Sequence, residues 1–320
     1  MHKNILLLET VAPDAMKVLE SAKDMNILIG FDEPSLRRHL SESQIHAIIT
    51  RGKGQVRSTL MDACPNLEVI SRCGVGLDNI DVDQATHRGM KVVNAPNSNA
   101  NTIAEHTISL LLVLQRNLYN AITMVKEGRW KERGGYVGDE LHGKTLGILG
   151  MGNIGKKVAK IAHALGMNVM YWSSKKEDVP YPFKDLDTVL RTSDCISLHL
   201  PLTLATHHLI DASALEKMKP TALLINTARG KIINQEALTH ALSTKKLGGF
   251  AADVLSEEPP EVNDPLLKLS NTYITAHVGS LTKTTYDFMC MFTVQNTLAI
   301  LRGQEPAENC IFNQKALKNK

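Results

Sequence analysis

The 320-residue sequence predicts an α/β protein with two doubly wound parallel-sheet domains. Three observations lead there. Short apolar segments alternate with helical patterns almost from end to end, the βαβ rhythm of a parallel sheet covered on both faces. One run of turn formers, Asn94-Ala-Pro-Asn-Ser-Asn-Ala-Asn101, interrupts that rhythm as a joint between domains would. The length leaves room for two domains of ordinary size, each with its own core.

In chain order, the first half offers strands at Asn4-Ile-Leu-Leu-Leu8, Asn26-Ile-Leu-Ile29, His46-Ala-Ile-Ile-Thr50, Leu67-Glu-Val-Ile70 and Met90-Lys-Val-Val93, with helical patterns such as residues 13–23 and 59–64 between them. After the joint, residues 102–127 read as one long helix. It is apolar on most faces through Ile108-Ser-Leu-Leu-Leu-Val-Leu114, so it must be buried between domains or between subunits. The second half repeats the rhythm with Thr145-Leu-Gly-Ile-Leu149, Asn168-Val-Met-Tyr-Trp172 and Cys195-Ile-Ser-Leu198. Three further apolar strands each close on a polar residue: Ala222-Leu-Leu-Ile-Asn-Thr-Ala-Arg229, Phe250-Ala-Ala-Asp253 and Tyr273-Ile-Thr-Ala-His277. A last helix is expected at about residues 284–302.

Composition narrows the function classes. A hydrophobic content of 43% and a charged content of 22% are those of a soluble globular protein. Lys+Arg 36 against Asp+Glu 33, with no sustained basic run, gives no support to a nucleic-acid partner. Cys64, Cys73, Cys195, Cys290 and Cys310 are scattered and lack metal-ligand spacing. They read as buried thiols in a reducing compartment, with no metal site expected. Four apolar residues after Met1-His-Lys-Asn4 are too few for a signal peptide, and the longest apolar run, Leu110 to Leu114, is far short of a membrane span. The expectation is a cytoplasmic protein with no membrane partner.

The motif Gly150-Met-Gly-Asn-Ile-Gly155 follows a strand and opens a helix over residues 153–165. Its glycines allow a tight turn and close backbone approach to a pyrophosphate, which then sits at the positive helix N-terminus. The carboxylate usual at the end of the next strand is missing; Tyr171-Trp-Ser-Ser-Lys-Lys176 stands there instead. Ser173, Ser174 and Lys175 are suited to a 2′-phosphate, so NADP(H) is favoured over NAD(H). In a parallel sheet the C-terminal strand ends line the ligand crevice. Arg229, Asp253 and His277 would meet there, Arg229 as an anion-binding cation. His277 would be an acid/base with Glu258 holding it charged, and His199, also at a strand end, is its rival. In the first half, Ser71-Arg-Cys-Gly-Val-Gly-Leu-Asp-Asn79 offers backbone N–H groups for an anion, and Arg51 offers a second cation.

These residues resemble the D-2-hydroxyacid dehydrogenase family over nearly the whole chain. The matching motifs are Arg72-Cys-Gly-Val-Gly-Leu-Asp-Asn-Ile-Asp81, Asn94-Ala-Pro96, Ala104-Glu-His106, Gly150 to Gly155, Ile225-Asn-Thr-Ala-Arg-Gly230, Asp253-Val-Leu-Ser-Glu-Glu-Pro259 and Ala276-His-Val-Gly279. Within the family the chain is most similar to 3-phosphoglycerate dehydrogenases, without the extra C-terminal regulatory region many of them carry. The resemblance implies a homodimer, with a Rossmann cofactor domain (residues 99–286) inserted into a flavodoxin-like substrate domain (residues 1–98 plus 287–320). It implies a catalytic trio of Arg229, Glu258 and His277, and substrate contacts from Arg51, Arg72, Gly74, Val75 and Gly76. It puts cofactor contacts at Val75, Gly150, Gly152, Asn153, Ile154, Gly155, Ser173, Ser174, Lys175, Leu200, Pro201, Thr206, Thr227, Gly279 and Asp253, the last beside the nicotinamide. Ala276 replaces the proline that often precedes the family's histidine.

The expected activity is hydride transfer between NAD(P)(H) and a small 2-hydroxy or 2-oxo acid, with 3-phosphoglycerate as first substrate. The alternative is an NADPH-dependent glyoxylate or hydroxypyruvate reductase. A reading of a different class is a dinucleotide-sensing binding protein of the same fold, which the intact trio and short C-terminal tail disfavour.

Overall fold

A computed structural model of the chain, describing residues 2–318, divides it into two compact units: Met1–Asn99 with Leu281–Lys320, and Ala100–Ser280. In the first unit the order is β1 (Lys3–Leu7), α1 (Pro13–Ser21), β2 (Met25–Ile29), α2 (Glu33–Glu42), β3 (Ala47–Thr50), α3 (Ser58–Asp62), β4 (Val69–Arg72), α4 (Val82–His87) and β5 (Lys91–Val93). The strands form one parallel sheet in the order β2-β1-β3-β4-β5. β1 and β3 are buried on both faces, as their unbroken Ile/Leu runs require.

The second unit begins with α5 (Ala100–Gln115) and α6 (Leu118–Lys126), then β6 (Thr145–Leu149), α7 (Asn153–Ala164), β7 (Asn168–Trp172), α8 (Leu186–Thr192), β8 (Cys195–Leu198), α9 (Ala212–Lys217), β9 (Leu223–Asn226), α10 (Gln235–Ser243), β10 (Gly249–Ala252) and β11 (Thr272–Ile274). Its parallel sheet runs β11-β10-β9-β8-β6-β7, so strand order reverses beside β6. That is the switch point at which such sheets hold ligands. The chain then returns to the first unit through α11 (Lys283–Leu301) and α12 (Gln314–Lys318). A boundary at residue 287 falls inside α11. The helix is packed along its length by Cys290, Val294, Leu298 and Leu301 against the same core as β1 and β4, and belongs to one unit throughout.

The expected helix over residues 102–127 is two helices bent by 65°. Asn117 breaks it with a left-handed φ of 47°, a conformation asparagine tolerates better than most residues. Its side chain is held there by the Tyr273 hydroxyl, which donates to Asn117 Oδ1 at 3.1 Å. Before the bend, Ile103, Ala104, Ile108, Leu110 and Leu111 are buried. Beyond it, Tyr119, Ile122 and Val125 on α6, then Trp130 and Val137, are exposed; α5 is buried on most faces but leaves Asn101, Glu105 and Ser109 exposed along one side. Among the described residues no single helix is long and apolar enough to cross a membrane. All five cysteines are free and buried; burial pushes the Cys64 thiol up to about 11 and Cys195 up to about 12.

Candidate active site

The second unit assembles its polar cluster from three loops, not from strand ends. β9 stops at Asn226 and β11 at Ile274, so Arg229 and His277 each lie three residues beyond a strand; Asp253 follows β10 directly. Asn226 makes the first loop possible. Its buried amide accepts from the Ala228 N–H at 3.0 Å and donates to the Arg229 carbonyl at 2.9 Å, turning the chain at the sheet edge. Gly230 then presses on the next loop so closely that a Cβ would overlap the Leu255 carbonyl. Only glycine permits that approach, which brings the Arg229 loop against the segment carrying Glu258.

The third loop is wrapped round Asp253. Its Oδ1 accepts from the Val278 N–H at 2.9 Å and the Thr275 hydroxyl at 2.6 Å, and Oδ2 accepts from the Gly279 N–H at 2.8 Å. His106 adds Nε2 contacts of 3.0 Å to Thr275 Oγ1 and 3.4 Å to Asp253 Oδ1. Burial raises the Asp253 pKa, but these hydrogen bonds outweigh it and the net shift is downward. The carboxylate framing this loop is therefore committed to backbone, and the Gly279 N–H is committed to it in turn. His277 adopts φ +53° in this frame, and its side chain is half exposed.

Glu258 Oε2 lies 2.7 Å from His277 Nδ1, while Oε1 accepts from the Leu255 N–H at 3.0 Å. The hydrogen bond that His277 donates to Glu258 raises the His277 pKa against burial and against the positive charge of Arg229. Burial raises Glu258, but His277 and the Leu255 amide bring it below its ordinary value. With Nδ1 taken, His277 offers Nε2 to a substrate beside a guanidinium. Such a group binds an anion and moves a proton. His199 is not equivalent: desolvation lowers it to about 3, and Nε2 sits 2.9 Å from the Ser197 hydroxyl.

At the switch point the glycine turn fits a dinucleotide. Gly150 has φ +102° and leaves no room for a Cβ against the His199 carbonyl and Leu200. A Cβ built on Gly152 would meet nothing within 4 Å, which is the open cradle a pyrophosphate needs at the start of α7. Asn153 is exposed, Ile154 half-buried against the core, and Gly155 buried. β7 ends alongside, with the Gly150 N–H donating to the Trp172 carbonyl at 2.8 Å. The hydroxyl of Ser173 donates to the carbonyl of Lys175, so it is not a free donor. Pro201 and Thr206 form a turn in which the Thr206 hydroxyl donates to the Pro201 carbonyl at 2.6 Å. The Thr227 hydroxyl is buried at 2.8 Å from that of Thr107. Asn226, His106 and Glu177 are the positions sequence reasoning passed over; Asn226 and His106 carried a signal, within Ile225-Asn-Thr-Ala-Arg-Gly230 and Ala104-Glu-His106, and Glu177 did not.

In the first unit, Arg51 stacks over the Tyr286 ring at 5.4 Å, with Nη1 3.2 Å from the Tyr286 hydroxyl and Nε 3.8 Å from Glu9 Oε1. It is a held cation, not an open one. The Gly74 N–H donates to the Arg72 carbonyl at 2.8 Å, which leaves the expected anion grip to the backbone of Val75 and Gly76.

Residues 108–279 match the family described as D-isomer specific 2-hydroxyacid dehydrogenase, NAD binding domain. The chain belongs to the D-2-hydroxyacid dehydrogenase family. It is 41% identical over 243 residues to a hydroxypyruvate reductase of Thermotoga maritima, covering 75% of this chain and 79% of that one. It is 36% identical to a D-3-phosphoglycerate dehydrogenase of Archaeoglobus fulgidus, covering 96% of this chain but only 59% of that relative's length. Among solved structures, the TT0316 protein from Thermus thermophilus superposes with a TM-score of 0.88 at 35% identity, covering 95% of this chain and 98% of that one. The two parallel-sheet units and the NAD-binding domain are thus family features.

Proposed function

We propose that the chain is an NAD(P)-dependent 2-hydroxyacid dehydrogenase in which Arg229, Glu258 and His277 do the chemistry. The observation that carries this is the 2.7 Å bond between Glu258 Oε2 and His277 Nδ1, with the Arg229 charge near enough to bear on the same imidazole. In the reductive direction, Arg229 pairs with the 2-oxo acid's carboxylate and polarises its carbonyl. His277 gives the Nε2 proton to the oxygen that becomes the hydroxyl, and Glu258 stabilises the charged imidazole until then. A bound nicotinamide dinucleotide supplies the hydride. Gly150, Gly152, Asn153 and Gly155 would hold its pyrophosphate, with Leu200, Pro201 and Thr206 beside them.

In this reading residues 100–280 serve the cofactor, and the first unit carries substrate groups, among them Arg51, Arg72, Val75 and Gly76. A 3-phosphoglycerate-type substrate comes first, supported by these two arginines and by the Archaeoglobus relative's name. A glyoxylate or hydroxypyruvate reductase is the second reading. Two observations favour it: Arg51 is already held by Glu9 and Tyr286, and Ser173 replaces a ribose-binding acid, which favours NADP(H). The exposed Tyr119, Ile122, Val125 and Trp130 fit burial by a second copy in a homodimer, and five free thiols fit the cytoplasm.

The test is oxidation of NADH and NADPH against hydroxypyruvate, glyoxylate, pyruvate and 3-phosphohydroxypyruvate, repeated with Arg51→Ala. A phosphoglycerate enzyme should lose 3-phosphohydroxypyruvate far more than hydroxypyruvate, since only the former presents a dianion. Equal losses would make Arg51 structural and favour the reductase. No turnover of any of the four acids would sink the dehydrogenase reading.

A further inference from the structure

The loop after β7 carries a carboxylate where the dinucleotide reading calls for positive charge. Glu177 Oε2 lies 2.8 Å from Lys156 Nζ, and Oε1 lies 3.5 Å from Lys175 Nζ. Lys156 stands in α7 just beyond the glycine turn, and Lys175 stands in the Ser-Ser-Lys-Lys stretch, so one acid ties together cations from both sides of the adenosine end. The hydrogen bond from Lys156 holds the Glu177 carboxyl below its ordinary value, so it remains charged near neutrality.

Glu177 is not a wandering surface acid. The buried Tyr171 hydroxyl grips its backbone twice, accepting from the Glu177 N–H at 2.9 Å and donating to the Glu177 carbonyl at 3.0 Å. Its side chain is only 20% exposed, against 80% for Lys175. A residue fixed by the core and aimed at two lysines beside a phosphate cradle is placed to tune that cradle's charge.

We propose that Glu177 is a specificity-determining residue that weakens binding of a 2′-phosphorylated dinucleotide by occupying Lys156 and Lys175. The proposal rests on the dinucleotide reading above. A 2′-phosphate is a dianion that must either draw the lysines from Glu177 or bind beside an acid, whereas a 2′-hydroxyl faces neither cost. The discrimination thus lies in a repulsive element outside the glycine motif, and the count of lysines in the loop overstates the preference for NADP(H).

The experiment is titration of NADPH and NADH into the full chain, following Trp172 fluorescence. Glu177→Gln should bind NADPH about 3- to 10-fold tighter, the worth of freeing one or two partly exposed lysines. NADH affinity should stay within about twofold, because the ribose hydroxyl carries no charge for the lysines to meet. The gain should shrink in a Lys156→Met background and at high salt, where such attractions are screened. Glu177→Ala keeps the Tyr171 grip on the backbone and serves as the second variant. An unchanged NADPH:NADH ratio in both variants, or equal gains for both cofactors, would overturn the proposal. If the unmodified chain prefers NADH but the ratio still moves, Glu177 stands and the NADP(H) preference falls. Binding of neither dinucleotide would overturn both.

Discussion

Glu9 in the first unit accepts the N–H groups of Arg51, Gly52 and Gly54 at 2.8, 2.6 and 3.0 Å, and the Thr50 hydroxyl at 2.9 Å. Asp253 in the second unit does the same for Val278, Gly279 and Thr275. Each loop presents a charged side chain, Arg51 in one and His277 in the other. In the first, the anchoring carboxylate also faces the presented group, and the Tyr286 ring packs on it while a third of the side chain stays exposed. In the second the main duties fall to different acids: Asp253 shapes the backbone and adds a smaller charge effect, and Glu258 is the chief influence on the imidazole. One acid with both duties makes a stable corner. Two acids leave a side chain held in place yet open to a substrate.

The sharpest way to break this comparison is at the presented residues. His277→Ala should lower kcat by about 10² to 10⁴, the usual worth of a positioned general acid. Dinucleotide affinity should barely move, as measured by titration. A near-normal kcat would return the second loop to the same structural class as the first.

The next largest effect is expected at the corner. Burial raises the Glu9 pKa, but the amides of Gly52, Gly54 and Arg51 bring it down to about 2. A depressed carboxylate stabilises the fold above its ordinary titration range and loses that contribution as pH falls toward 2. Glu9→Gln should therefore cost about 1–3 kcal/mol near neutral pH, the penalty for disrupting buried hydrogen bonds to a charged group. The gap to wild type should close in acid. Urea unfolding across pH would detect it, and identical curves at pH 7 would mean the corner contributes nothing.

The subtlest change is expected in the tuning acid. In the proposed mechanism reduction needs His277 protonated, so its rate should fall as pH rises through the His277 pKa, which Glu258 raises. Glu258→Gln removes that support and should move the alkaline limb of the pH–rate profile to lower pH. A limb that stays put would show that the titrating group is not His277.

Both sheets were legible in the sequence because buried parallel strands write themselves as apolar runs, and β6, β7 and β8 begin and end where the pattern does. The Glu258–His277 pairing was also readable, since acid and imidazole follow neighbouring strands β10 and β11. What escaped depends on partners distant in sequence. At the Asn117 bend, Oδ1 accepts from nearby Asn120 Nδ2 at 2.6 Å and also from the Tyr273 hydroxyl 156 residues away, a partner that residues 102–127 do not announce. The Thr227 hydroxyl is paired with that of Thr107, 120 residues earlier, which no local pattern announces. Glu177 was invisible because its placement is a property of buried Tyr171.

An acid/base residue changes charge in every cycle, and a backbone that yielded to that change would lose its aim between one half-reaction and the next. The loop around Asp253 is held by hydrogen bonds of its own. Its carboxylate is held below the ordinary range, so it stays charged through neutrality, and the Val278 and Gly279 amides it receives do not titrate. The contact with Glu258 is the largest influence on the His277 imidazole, ahead of the Asp253 charge. The machinery separates a permanent mould from a rechargeable tip, so successive turnovers should start from the same alignment.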